Sequence, residues 1–272
     1  MQLTLAYSPC PNDTFIFDAL VHQKVDTEGL QFRVQLLDIQ ELNALAASQP
    51  GPDVVKVSFF QYAQLLQRYQ LLESGAALGR GCGPLVVARE TMTRQQVADS
   101  NIAIPGWNTT AHLLLNHWCP EVRNKQVLPF HEIMPAVASG ELDAGLIIHE
   151  SRFTYPQYGL QQVVDLGAHW EETTSLPIPL GGIIARKDLG WEVIARVDRA
   201  LARSIEYAFA HRADVMPYVR AHAQEMADEV MEQHIALYVN EYTHQLGPEG
   251  HLAVDFLIHY AQQQTAHQPK LS

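Results

Sequence analysis

The order in which apolar stretches change their period constrains this chain more than any single motif. Gln2 to Tyr7 (QLTLAY) alternates like a strand and runs into SPCPNDTFIFDAL. There Pro9 and Pro11 forbid continuing a ladder, and Asn12 or Asp13 is a suitable cap for a short helix over Thr14 to Leu20. Leu30 to Leu37 reads as a second strand, and Asp38 to Glu41 (DIQE) has the capping-box form that opens a helix through Ala46. Pro50-Gly51-Pro52 turns the chain into a third strand, Asp53 to Val57, and Ser58 with Gln61 repeats the capping-box form ahead of a helix over Phe59 to Leu66. Such alternation predicts a mostly parallel sheet with helices on its faces.

The alternation then stops and restarts. Leu71 to Leu78 and Pro84 to Ala88 read as strands around the glycine-rich Gly79 to Gly83 (GRGCG). That segment is not a nucleotide loop: its spacing is not GxGxxG, and a strand follows where a phosphate site needs a helix N-terminus. A second series begins with a strand over Asn101 to Ile104, a loop, and a helix from Thr109 capped by Asn108 or Thr109. It continues with a strand over Gln126 to Phe130, a helix over His131 to Ser139 closed by Gly140, and the apolar strand Asp143 to Ile148. After Thr154 the chain turns through Pro156 and Tyr158, makes a strand over Leu160 to Asp165 and returns along Ile178 to Arg186. From Trp191 to the end the apolar residues recur at helical spacing, with breaks at Pro217 and Gly247-Pro248. The expected organisation is a discontinuous α/β lobe, residues 1–89 plus 183–272, with residues 90–182 inserted as a second α/β lobe and a ligand cleft between them.

Composition limits what such a fold can serve. With 47% hydrophobic residues among 272, the chain can bury a large core, and its formal net charge of -12 excludes a nucleic-acid partner, which needs a basic face. The N-terminus lacks the charged start and apolar core of a signal peptide, and no run approaches membrane-spanning length, so the expectation is a cytoplasmic protein with no membrane partner. Cys10, Cys82 and Cys119 are odd in number and without metal-type spacing, so they are expected as reduced thiols, with no metal site.

Polar groups collect where strands end. Ser8 follows the first strand, Lys56 and Ser58 straddle the end of the third, Thr109 and Thr110 follow the first strand of the middle lobe, and His149 ends the strand DAGLII. Carboxyl edges are where open α/β sheets bind ligands, and imidazole both accepts and returns a proton near neutral pH, which makes His149 a candidate base. The helix starts at Ser58 and Thr109 can meet a carboxylate in an acidic protein, although ordinary capping is the stronger explanation of Ser or Thr at each position taken singly and is compatible with ligand contact. Lys56, inside the apolar VVKVSFF, demands an anionic partner or an exit to solvent. Glu150 and Arg152 are expected to pair with each other on the surface, and His112, His117 and Cys119 to be solvated or packing residues.

Four segments, SPCPNDTFIFDALV, DVVKVSF, GWNTTAHLLL and GLIIHESRFTY, together resemble the 1,4-dihydroxy-6-naphthoate synthase family, the cyclic dehypoxanthinyl futalosine lyases of the futalosine route to menaquinone. The resemblance implies a two-lobed type II periplasmic-binding-protein-like fold used by an enzyme, with His149 as proton acceptor and Lys56, Val57, Ser58, Thr109 and Thr110 lining the substrate site. It implies a small-molecule carboxylate substrate whose sugar-derived portion is expelled as a dihydroxynaphthoate becomes aromatic, with neither metal nor redox cofactor. The alternatives are a solute-binding protein on the same fold and chorismate dehydratase, a sibling enzyme of the pathway.

Overall fold

The computed structural model describes residues 1–223 and 227–267. In chain order it begins with β1 (Gln2–Tyr7), α1 (Pro11–Val21), β2 (Gln31–Leu36), α2 (Ile39–Ala47), β3 (Val54–Ser58), α3 (Phe59–Leu65), β4 (Tyr69–Leu71) and β5 (Ala77–Gly79). Next come β6 (Leu85–Ala88), α4 (Arg94–Ala98), β7 (Ile102–Ile104), α5 (Thr110–Trp118), β8 (Lys125–Val127), α6 (Phe130–Ser139), β9 (Ala144–Ile147), α7 (Ser151–Thr154), β10 (Gln161–Asp165) and α8 (Leu166–Thr174). The chain returns along β11 (Ile178–Arg186) and closes with α9 (Trp191–Ala210), α10 (Arg212–His222), α11 (Asp228–Tyr238), α12 (Glu241–His244) and α13 (Gly247–His267). Residues 268–272, read as the end of the helical stretch, lie outside the described residues. No helix among the described residues is long and apolar enough to cross a membrane.

Two compact units result, residues 1–79 with 179–272, and residues 80–178. Residues 80–89, expected in the discontinuous lobe, fall in the second unit because β6 pairs with β9 and β10.

The first unit carries a sheet in the order β2-β1-β3-β11-β4, with β5 also on β11. β1 is parallel to β2 and β3, whereas β11 runs antiparallel to β3 and β4. The mostly parallel sheet is therefore mixed, because its closing strand comes from the far end of the inserted unit and lies in the opposite sense. The strand expected over Leu71 to Leu78 is two short ones, since Gly75 at φ 90° bends the backbone between them. α1 is buried from Pro11 to Leu20, and α9, α10 and α11 pack against it. Phe15, Ile16 and Leu20 of α1 join Leu3 and Leu5 of β1 with Leu201, Ile205, Val219 and Ile235 in one core. Each such side chain contributes about 1.5 to 3 kcal/mol on burial. Pro217, expected as a break, sits inside α10, and Gly247-Pro248 opens α13. A proline suits that opening, where an N–H has no partner within the helix.

The second unit has a sheet in the order β10-β6-β9-β7-β8. β9 at its centre is parallel to β7 and antiparallel to β6. Its strand is buried throughout, as the unbroken apolar run requires. β7 and β9 thus end at the same edge of this sheet, and β1 and β3 at one edge of the other. Phe130, expected at the end of a strand, is instead the first residue of α6.

Candidate functional site

In the first unit one carboxylate ties together the polar residues at the ends of β1 and β3. Asp13, 1% exposed, accepts from Lys56 Nζ at 2.8 Å, Asn12 Nδ2 at 2.8 Å, Ser8 Oγ at 2.7 Å and the Ser8 backbone N–H at 3.3 Å. Lys56, 4% exposed in the middle of β3, has the anion that its apolar setting calls for. Asp13 is not the expected cap. Pro11 opens α1 three residues before Thr14, with Cys10 at the N-cap, so Asp13 lies in the first turn, where the helix dipole favours a negative charge. Behind it, Asn12 Oδ1 accepts from Nε2 of the fully buried His234 of α11 at 2.9 Å. Ser58 does not form the expected capping box. Its hydroxyl accepts from Asn43 Nδ2 at 3.1 Å, and its N–H donates to Asn43 Oδ1 at 3.0 Å. The Val57 side chain is wholly buried, and its backbone pairs with Gly182 of β11, so it can meet a ligand only through main-chain atoms.

In the second unit, His149 lies two residues beyond β9 and is half-buried, with its ring edge-on to Phe130 at 5.1 Å between centroids. Its φ of 55° lies in the left-handed region, which costs a residue with a Cβ roughly 1 to 3 kcal/mol. Arg152, expected to pair with Glu150, instead donates to Gly83 O at 2.5 Å and Asp165 Oδ2 at 2.6 Å. Glu150 is buried, not on the surface. Asp165 also caps α8, its Oδ1 accepting from Gly167 N and Ala168 N, so Arg152 links the turn after His149 to a helix terminus.

Thr109 caps α5. Its hydroxyl donates to Gly106 O at 2.8 Å and accepts from His112 N at 3.2 Å, which commits its proton to the loop. Thr110 is the first residue of the helix and is buried. The loop is anchored further by His112, whose Nδ1–H donates to Trp107 O at 2.8 Å. Its Nε2 accepts from Asn116 Nδ2 at 3.2 Å, and Asn116 Oδ1 accepts from Lys125 Nζ at 2.5 Å. Burial pushes the His112 imidazole down to about 4, the Trp107 hydrogen bond opposing this and Lys125 adding to it. Of the thiols, Cys82 is pushed up to about 12 by burial and stays protonated at neutral pH.

Within each unit the expected residues lie on or after strands that end at one edge of the sheet: Ser8 after β1, Lys56 and Ser58 on β3, and Thr109, Thr110 and His149 after β7 and β9. As site residues, Asp13, Asn12, His234, Asn43 and Asp165 escaped the sequence reading, which has Asn12 and Asp13 only as helix caps. Only Asp13 left a signal, as the carboxylate that Lys56 requires.

Known proteins resemble this chain in sequence and fold. Residues 3–263 match the family model described as menaquinone biosynthesis. A 1,4-dihydroxy-6-naphthoate synthase from Thermus thermophilus is 50% identical over 252 residues, 93% of this chain and 91% of that protein. The crystal structure of an Archaeoglobus fulgidus protein matches with a TM-score of 0.91 and 35% identity over 97% of this chain and 98% of that one. A Candida albicans protein described as having the generic periplasmic-binding-protein fold matches with a TM-score of 0.71 over 97% of this chain and 90% of that one. With 13% identity, this last likeness is one of fold. The fold is periplasmic-binding-protein-like, as the resemblance implied.

Proposed function

The chain belongs to the menaquinone-biosynthesis family, and from that membership we propose that it is the lyase that releases 1,4-dihydroxy-6-naphthoate from cyclic dehypoxanthinyl futalosine. The observation that carries this reading is 50% identity, across 93% of the chain, to a protein named for that product. The same relative favours it over chorismate dehydratase and over a solute-binding protein.

His149 is the general base. It takes the proton whose loss lets the bicyclic part become aromatic while the carbon-carbon bond to the sugar-derived part breaks. What supports His149 is its setting: a rigid buried strand delivers it, Phe130 limits its ring, and the backbone holds it in a conformation that costs energy. Thr110 and the first turn of α5 hold the substrate carboxylate through N–H groups, with Thr109 supporting the loop instead of donating its own hydroxyl. Ser8, Lys56, Ser58 and the main chain of Val57 hold other polar parts of the substrate.

The test is incubation of the purified protein with cyclic dehypoxanthinyl futalosine, following naphthoate absorbance, beside the His149→Asn variant. Wild type should release naphthoate. The variant should lose about a hundred- to ten-thousand-fold in kcat while product affinity changes little. Release of naphthoate by the variant at near wild-type rates would move the base to another residue. Dehydration of chorismate by the wild type, without lyase activity, would replace the reading.

A further inference from the structure

Asp13 decides what Ser8 and Lys56 can offer a ligand. An ionised carboxylate only accepts, so the 2.7 Å contact fixes the Ser8 hydroxyl proton on Asp13 Oδ2 and leaves Ser8 with lone pairs alone. The Cys10 backbone N–H donates to Ser8 Oγ at 3.4 Å, which occupies one of its two lone pairs and leaves the other for a ligand. Lys56 gives one of its three N–H bonds to Asp13 Oδ1, its one partner among the described residues, and keeps two. The cluster thus presents an acceptor beside a donor, with the two charges of Asp13 and Lys56 cancelling.

A hydroxyl both donates and accepts, and it matches that pattern. A carboxylate does not, because its lone pairs would face those of Ser8 beside a buried anion. We propose that the Ser8–Asp13–Lys56 cluster is the subsite for the hydroxylated, sugar-derived portion of the substrate, with Asp13 as the positioning residue that sets the polarity of the other two. This inference rests on the lyase reading and specifies it further. The pattern is held from behind: Asn12 Nδ2 donates to Asp13 Oδ1, and His234 Nε2 donates to Asn12 Oδ1, so a carboxylate in the first turn of α1 is locked to α11.

The naphthoate product separates the two ends of the substrate, since it retains the carboxylate and the bicyclic rings and lacks the sugar-derived part. Asp13→Asn introduces an amide N–H that can donate to Ser8 Oγ and reverse its polarity. The expected result is a KM for cyclic dehypoxanthinyl futalosine raised about ten- to a hundredfold, with the inhibition constant of naphthoate unchanged. That unchanged constant also reports a folded protein. Should Asp13→Asn fail to fold, Ser8→Ala removes the acceptor and leaves the Asp13–Lys56 pair in place, with the same KM-only effect expected. If naphthoate binding weakens in step with KM, the cluster holds the carboxylate and the inference is overturned. An unchanged KM in Ser8→Ala overturns it too. Either result leaves the lyase reading standing, whereas a wild type that makes no naphthoate removes both.

Discussion

His112 is neutral because of where it sits, and that links the loop before α5 to pH. Its imidazole is depressed from an ordinary 6.5 to about 4 by burial, so over that interval the unfolded chain binds a proton that the folded chain refuses. The contribution is fully present above pH 6.5 and is lost as pH falls through 4, about 3 kcal/mol in all. Urea unfolding of wild type and His112→Gln should show wild type more stable at pH 7, the gap closing by about 2 kcal/mol at pH 4.5. A gap independent of pH would mean that His112 is not held neutral. His149 presents the opposite balance. Asparagine enters the left-handed region more readily than most residues, so His149→Asn should melt at or above the wild-type temperature even as turnover fails. A melting point several degrees lower would assign to ring packing on Phe130 the larger share of His149's setting.

At the scale of elements, the turn after β9, the N-terminus of α8 and the GRGCG segment form one joint. A Cβ on Gly83 would lie 2.3 Å from Gly167 Cα, so the glycine that invites a nucleotide reading is there for backbone contact. Gly83→Ala must displace the first turn of α8 and should cost on the order of 3 kcal/mol, read as a lower denaturation midpoint. An unchanged midpoint would show that the helix shifts freely. α8 was not legible in sequence because Gly167 and the Thr173-Thr174 pair weaken helix propensity, and its cap, Asp165, reads as the end of a strand. The capping box at Asp38 and the left-handed Gly140 were legible, being local chemistry within a few residues. The start of α1 was not. Pro11 ends the strand ladder as its sequence setting implies and also opens the helix, and a helix start placed at Thr14 hides Asp13 from the Lys56 that needs it. His234 and Asn43 answer partners 222 and 15 residues away, a distance that periodicity does not span.

For the whole molecule, the decisive feature is that one unit is continuous in sequence and the other is not. Residues 80–178 hold all five strands of their sheet and a core of their own, including Leu85, Val87, Ile133, Val137 and Ile147. Expressed alone, they should unfold cooperatively in urea; a gradual transition with no baseline would show that they depend on the rest of the chain. Residues 1–79 alone should not fold, since they lack β11 from the middle of their sheet and the helices that enclose α1.

The insertion of β11 between β3 and β4 also sets a schedule on the ribosome. After Gly79 has emerged, roughly a hundred residues must be made before Arg186 follows, about 5 to 20 s of synthesis. Throughout that interval the apolar β3 can have β1 beside it but not β11, so one edge stays open to pairing with a neighbouring nascent chain. Slowed translation between residues 80 and 178 should therefore lower soluble yield, and a chaperone that shields extended apolar segments should restore it.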